Sequence, residues 1–139
     1  MNTPFLFKHN YQLENQVPAD KFFAALIVED DLDICYLLSV ILKKNKLLSR
    51  YVNSLAEAKK SLNKDIPDIL ILDNHLPDGL GIEFIAYIKA NYPAIRIIMI
   101  TAHDTLNDRN NALKEGADYF LGKPFTLNAI NATLQSLLN

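Results

Sequence analysis

Residues 69–79 read ILILDNHLPDG and run four large apolar side chains directly into the carboxylate of Asp73. A strand that is apolar at every position is typical of a parallel sheet covered by helices on both faces. The residues that follow, Leu76-Pro77-Asp78-Gly79, have the composition of a turn. We therefore predict a buried central strand that ends at Asp73, and a turn that leads the chain away from it.

Outward from this strand, short apolar runs alternate with helical patterns along the whole sequence. We predict strands at 22–28, 47–52, 68–72, 94–101 and 118–122, and helices at 31–45, 54–64, 80–91, 104–116 and 126–138. Ser54 with Glu57 has the pattern of a capping box, Gly116 follows a helical run, and Thr126 can cap the last helix. Five β-α units predict an α/β fold, an open five-stranded parallel sheet between two layers of helices.

Length and composition restrict the class of protein. The chain has 139 residues, half of them apolar, which suits one compact domain. The longest apolar run, at 22–28, is far below the roughly 18 residues of a membrane-spanning helix. The formal charge of −2 argues against a domain that grips nucleic acid by its phosphates. We expect a soluble, cytoplasmic domain that contacts neither membrane nor nucleic acid.

Local sequence patterns give two further predictions, one for residues 1–21 and one for Cys35. Residues 1–21 lack a clear period and read as an N-terminal extension before a folded domain at 22–139, although the aromatic residues of the extension could also dock on a surface. The single cysteine, Cys35, shares a helical face with Leu38 and Leu42, so we expect it to pack in the core.

Functional groups in such sheets collect where strands end at their carboxyl edge. The predicted strand ends carry Glu29-Asp30-Asp31, Asp73, Thr101 and Lys123. Acids on neighbouring strand ends repel one another unless a cation or protonation offsets their charge, and carboxylates suit Mg²⁺. With that ion, Asp73 can act as a nucleophile that forms an acyl phosphate, beside the ammonium of Lys123 and the hydroxyl of Thr101.

Each of these residues also has an ordinary structural interpretation. Asp31 is better explained as a helix cap, Thr101 can be a plain strand residue, and Lys123 can be a solvated lysine. Their order, each directly after its own apolar strand, is what favours a shared site.

These motifs together resemble the receiver domain of two-component response regulators. The likeness covers about residues 22–139 and rests on four segments in order: LIVEDD, ILILDNHLPDGLG, IIMITAHD and GADYFLGKPF. The resemblance implies the flavodoxin-like, doubly wound (βα)5 receiver fold.

The resemblance also implies the roles of individual residues. Asp73 corresponds to the phosphoacceptor, while Asp30, Asp73 and the backbone carbonyl of His75 correspond to Mg²⁺ ligands, with Glu29 acting through water. Thr101 and Lys123 match the switch hydroxyl and the site lysine, and Phe120 matches the switch aromatic. The Lys123-Pro124 bond is expected to be cis, and Tyr119 is expected to face away from Phe120.

The implied function is signalling rather than enzymatic turnover. A sensor histidine kinase or a phosphotransfer protein supplies the phosphoryl group, and the helix-strand-helix face at residues 105–139 changes its partners, which include a second copy of the chain. The alternative is a receiver-like interaction module that is never phosphorylated. A haloacid-dehalogenase-like hydrolase is a weaker alternative, because His75 stands where such enzymes carry a second acid.

His75 and His103 each lie two residues after a site residue. We predict that they modulate the lifetime of the acyl phosphate. Two alternatives stay open: both are exposed loop histidines without a role, or they take part with the acids in a transition-metal site.

Overall fold

The computed structural model describes residues 23–138. The predicted N-terminal extension at 1–21, Phe22 and Asn139 lie outside the described residues. Within residues 23–138 there are seven strands: β1 (Phe23–Val28), β2 (Leu47–Val52), β3 (Ile69–Asp73), β4 (His75–Leu76), β5 (Gly79–Leu80), β6 (Arg96–Thr101) and β7 (Tyr119–Gly122). The same part of the chain has five helices: α1 (Leu32–Lys44), α2 (Leu55–Lys64), α3 (Gly81–Asn91), α4 (Leu106–Glu115) and α5 (Leu127–Leu138).

The main sheet has five parallel strands in the order β2-β1-β3-β6-β7. All five residues of β3 are buried, as the apolar run predicts. Leu70 and Leu72 pack in one core layer with residues of α2, α3 and α4, whereas Ile69 and Ile71 pack in the other layer with residues of α1 and α5. The predicted three-layer α/β sandwich is confirmed.

The helix ends follow the predicted local chemistry with one difference. The Asp31 carboxylate accepts hydrogen bonds from the N–H groups of Asp33 and Ile34, and Thr126 Oγ1 accepts one from Ala129, so both are helix caps. Ser54 caps α2, but the Glu57 carboxylate bonds the N–H of Asn53 rather than that of Ser54 itself. The capping box is therefore shifted by one residue.

The predicted turn after β3 is a small hairpin. Strands β4 and β5 pair antiparallel, with His75 opposite Leu80 and Leu76 opposite Gly79. The carboxylate of Asp78 accepts hydrogen bonds of 2.9 Å from the N–H groups of Leu55 and Ala56. The hairpin is thus tied to the N-terminus of α2.

Cys35 lies in the core as predicted, 1% exposed. Its Sγ donates to the carbonyl of Glu29 at 3.3 Å. Among residues 23–138, none of the helices combines the length and apolar character needed to cross a bilayer.

Candidate functional site

The site is built around Asp73, the last residue of the central strand. The residue is buried, with 4% of its surface exposed. The next residue, Asn74, holds the loop that follows: its N–H donates to Ile100 O, its carbonyl accepts from Gly81 N at 2.7 Å, and its Oδ1 accepts from Ile82 N at 2.9 Å. These bonds fix the backbone on both sides of the carboxylate.

Gly81 is required by this close approach. A Cβ at this position would collide with the carbonyl oxygen of Asp73 and come within 3.0 Å of the Leu72 side chain. A glycine therefore lets the start of α3 lie against the end of β3.

Lys123 bridges two carboxylates. Its Nζ lies 2.8 Å from Glu29 Oε1 and 3.2 Å from Asp73 Oδ1. Its backbone N–H donates to the carbonyl of Thr101, which holds the end of β7 against the end of β6. The Lys123-Pro124 bond is cis, as expected.

Three carboxylates converge at this edge of the sheet. Glu29, Asp30 and Asp73 each offer an oxygen within 4.8 Å of the other two; Glu29 and Asp73 are buried, and Asp30 is exposed. One ammonium cannot balance three carboxylates, and their oxygens are the hard donors that Mg²⁺ prefers. The residues present therefore fit the predicted magnesium site. Asp31 stands outside this group and caps α1.

The electrostatics of the pair Glu29 and Asp73 reflect burial. Burial raises the pKa of the Glu29 carboxyl, against the opposing hydrogen bond from Lys123. Burial also raises the pKa of Asp73, again against the nearby ammonium. Burial alone would lower the pKa of Lys123, but its hydrogen bond to Glu29 and the charge of Asp73 outweigh this and raise it. Lys123 is thus cationic. A further positive charge nearby would stabilise the ionised forms of the two carboxylates.

Thr101 ends β6, the strand beside β3. Its side chain is buried, and its Oγ1 accepts a hydrogen bond of 3.1 Å from the N–H of His103. The hydroxyl is therefore held at the same sheet edge as Asp73, since Asp73 is in register with Ile100.

A comparison with known protein families identifies the family of the chain. The family model for the response regulator receiver domain matches residues 25–135, which is most of the chain. The chain belongs to this family.

Known relatives of this receiver domain are response regulators. It is 37% identical over 114 residues to the response regulator protein PilR of Pseudomonas aeruginosa, a match that covers 82% of this chain and 26% of PilR. It is 31% identical over 115 residues to the phosphate regulon regulator PhoB of Escherichia coli, covering 81% of this chain and 50% of PhoB. The chain therefore spans between about a quarter and half of the length of these relatives.

A comparison with solved structures also finds receiver domains. The solution structure of the beryllofluoride-activated NtrC4 receiver domain dimer superposes with a TM-score of 0.78 at 33% identity, over 82% of this chain and 94% of that one. The fold and the family are thus supported by sequence and structure alike.

The predicted switch aromatic lies under an arginine. Phe120 is buried on the opposite face of β7 from Tyr119, as predicted. The Arg109 guanidinium lies 4.9 Å from the Phe120 ring centroid, donates to Phe120 O at 3.2 Å and pairs with Asp104 at 2.8 Å. Arg109 thus links α4, β7 and the loop after β6.

The two predicted histidines lie close to each other. The rings of His75 and His103 have centroids 4.4 Å apart and planes tilted by 42°. The sequence predicts that each flanks the site, but not that they touch.

Sequence reasoning missed Arg109, Asn74, Asp78 and Gly81 as residues that shape this site. Asn74, Asp78 and Gly81 were visible within the DNHLPDGLG segment, where polar and glycine residues follow a buried strand. Arg109 carries no comparable local signal.

Proposed function

We propose that this response regulator receiver domain accepts a phosphoryl group on Asp73 from a sensor histidine kinase or a phosphotransfer protein. The observation that carries the proposal is the contact of Lys123 Nζ with both Asp73 and Glu29, at the carboxyl edge of a parallel sheet. An ammonium in that position can neutralise charge on an incoming phosphoryl group. A solved structure of a related protein, a response regulator from Burkholderia pseudomallei, contains a phosphorylated aspartic acid and a calcium ion. It superposes on this chain with a TM-score of 0.74 at 26% identity, over 82% of this chain and 67% of that one.

The chemistry we propose is a phosphoryl transfer between two side chains. A carboxylate oxygen of Asp73 attacks phosphorus, the bond from phosphorus to the donor histidine nitrogen breaks, and the electron pair stays on that imidazole, which takes a proton. Lys123 offsets the charge of the phosphoryl oxygens, and the hydroxyl of Thr101 donates to one of them. The domain is not a turnover enzyme, since its chemistry ends at its own acyl phosphate and the hydrolysis of that group.

Magnesium would be held by Asp30, Asp73 and the backbone carbonyl of His75, with Glu29 acting through a water molecule. When bound, the ion neutralises carboxylate and phosphoryl oxygens together. Asp30 is the exposed acid of the cluster, so the site is open to solvent on that side.

The response we propose is a change at residues 105–139. Thr101 gives up its bond from His103 to reach the phosphoryl group, and Phe120 moves into the space that it leaves. Of the ten residues of α4, Ala112 is the only buried one. A helix with so little buried surface is readily shifted, and Arg109 transmits the change from Phe120 to it.

A second copy of the chain is the partner we propose for this face. Leu106, Leu113 and Leu127 are exposed there, by 73%, 43% and 52%. The NtrC4 relative is a dimer of activated receiver domains. Phosphorylation would then favour dimerisation through residues 105–139.

The test is incubation with acetyl phosphate, with and without Mg²⁺, followed by intact-mass measurement. We expect one added phosphoryl group that requires Mg²⁺, is absent in Asp73→Asn and is retained in the control Asp33→Asn, which changes an exposed acid of α1. Fluoroberyllate should shift the chain towards a dimer in sedimentation. The absence of any adduct, together with no response to fluoroberyllate, would instead identify a phosphorylation-independent interaction module.

A further inference from the structure

His75 and His103 are both exposed, and their ring centroids lie 4.4 Å apart. Among residues 23–138, neither imidazole has a hydrogen bond or ion pair through its ring nitrogens. A neutral imidazole keeps one nitrogen lone pair free to bind a metal ion. The pair therefore presents two unused nitrogen donors side by side.

The backbone holds both histidines in place. His75 is paired with Leu80 in the β4-β5 hairpin, and the hairpin is tied to α2 through Asp78. The N–H of His103 donates to Thr101 Oγ1 at the end of β6. Since β3 and β6 are neighbours in register, the juxtaposition of the two rings is built by the sheet rather than by chance meeting of two loops.

The spacing suits bidentate metal binding. Nitrogens that are each about 2.1 Å from one tetrahedral ion lie about 3.4 Å from each other. A centroid separation of 4.4 Å is compatible with that distance between one nitrogen of each ring. The remaining coordination positions would be filled by water.

The donor atoms distinguish this position from the carboxylate cluster. The group of Glu29, Asp30 and Asp73 includes neither histidine. Imidazole nitrogen favours Zn²⁺, Cu²⁺ and Ni²⁺, whereas carboxylate oxygen favours Mg²⁺. We propose that His75 and His103 form a second metal site, which binds one divalent transition-metal ion separately from the carboxylates.

The experiment is titration of the full chain, free of any polyhistidine tag, with Zn²⁺ by calorimetry in the presence of excess Mg²⁺. The variants are His75→Ala and His103→Ala, with His9→Ala as a matched control and Asp30→Asn to report on the carboxylate cluster. Loss of an outer partner of a ligand already costs about 10- to 100-fold in affinity, so loss of either imidazole should cost at least about tenfold. With Cu²⁺, paramagnetic resonance should show two nitrogen ligands in the unsubstituted chain.

One equivalent of Zn²⁺, weakened in both histidine variants and unchanged in His9→Ala and Asp30→Asn, would support the site. Three results would overturn it: no Zn²⁺ binding by the unsubstituted chain, Zn²⁺ binding in both histidine variants that is as strong as in the unsubstituted chain, or binding lost only in Asp30→Asn. None of these measurements uses a phosphodonor, so they stand apart from the proposed phosphorylation of Asp73.

Discussion

Lys123 Nζ lies 3.2 Å from Asp73 Oδ1, although Asp73 ends β3 and Lys123 follows β7, with β6 between these strands in the sheet. The same ammonium is 2.8 Å from Glu29, so one positive charge is shared by two buried carboxylates. Such an arrangement leaves negative charge in excess where solvent cannot screen it. Its consequences for stability can be measured without any knowledge of the signalling partners.

Replacing Asp73 by Asn should stabilise the fold at neutral pH in the presence of a chelator. Burial raises the pKa of Asp73, so its ionised form is disfavoured in the folded state. We expect the free energy of unfolding in urea to rise, because the neutral amide avoids the desolvation cost of the buried carboxylate and Lys123 keeps its bond to Glu29.

The same shift sets the sign of the pH dependence. A carboxyl with a raised folded-state pKa adds stability below its unfolded pKa and loses that contribution as pH rises through the folded value. The difference in the free energy of unfolding between Asp73→Asn and the unsubstituted chain should therefore be largest at neutral pH. It should shrink towards pH 3.8, the ordinary pKa of aspartate. A lower stability of Asp73→Asn at neutral pH would contradict this, and Glu115→Gln serves as an exposed control.

Replacing Gly81 by Ala should destabilise the domain and disturb Asp73. The added Cβ would meet the carbonyl oxygen of Asp73, which belongs to the central strand and cannot easily yield. Overpacking of this kind costs about 1–3 kcal/mol in urea unfolding. Ala86→Ser, at an exposed position of the same helix, is the control. It should lower the free energy of unfolding by less than about 0.5 kcal/mol. An unchanged stability of Gly81→Ala would show that α3 shifts freely away from β3.

Replacing Arg109 by Ala should loosen α4. The change removes the stacking on Phe120, the hydrogen bond to its carbonyl and the ion pair with Asp104. These partly exposed contacts together should contribute about 1–2 kcal/mol, and amide exchange in residues 106–115 should accelerate. Lys114→Ala removes a charge from the same helix without these contacts, so equal acceleration in both variants would refute the role of Arg109.

Cys35 should resist thiol reagents while the domain is folded. Burial raises its pKa to about 11 from 9.0, which lowers the thiolate fraction at pH 8 by about 100-fold even before access is considered. A chromogenic disulfide reagent should therefore react slowly with the native chain and rapidly in urea. Rapid stoichiometric reaction under native conditions would place the thiol at the surface.

Replacing His75 and His103 together by Ala should shorten the life of the acyl phosphate. The two rings lie 4.4 Å apart in the loops that follow β3 and β6, beside Asp73 and Thr101, so their removal is expected to ease the approach of water to the acyl phosphate. The adduct would be followed by intact mass after acetyl phosphate is removed, and phosphorylation itself should persist. If decay is unchanged in both single variants and in the double variant, the histidines have no such role; His9→Ala is the control.

Much of the fold could be predicted because its signals are local. The unbroken run at 69–72 reports burial on both faces of β3, and alternate residues do pack in opposite layers. The caps at Asp31 and Thr126 depend only on residues two or three positions away. The convergence of Asp30, Asp73 and Lys123 followed from the rule that parallel strands end at one edge.

The remaining features depend on contacts that a linear sequence does not order. Asp78 caps a helix that begins 23 residues earlier in the chain, a pairing that only the folded loop creates. Arg109 reaches Phe120 because α4 packs along β7, although nothing in the helix sequence distinguishes it from other exposed cations. The two-residue strands β4 and β5 are too short for any periodicity to reveal.

The strand order also shapes how the chain can be assembled during synthesis. Strands β2, β1 and β3 form one side of the sheet and come from the first part of the domain, whereas β6 and β7 are added to the other side. A growing chain on the ribosome can thus pair β3 with β1 before Thr101 and Lys123 have been translated. The edge of β3 that carries Asp73 would then stay unpaired until β6 is synthesised. Pairing of β6 and β7 would both complete the sheet and bring Thr101 and Lys123 to the site.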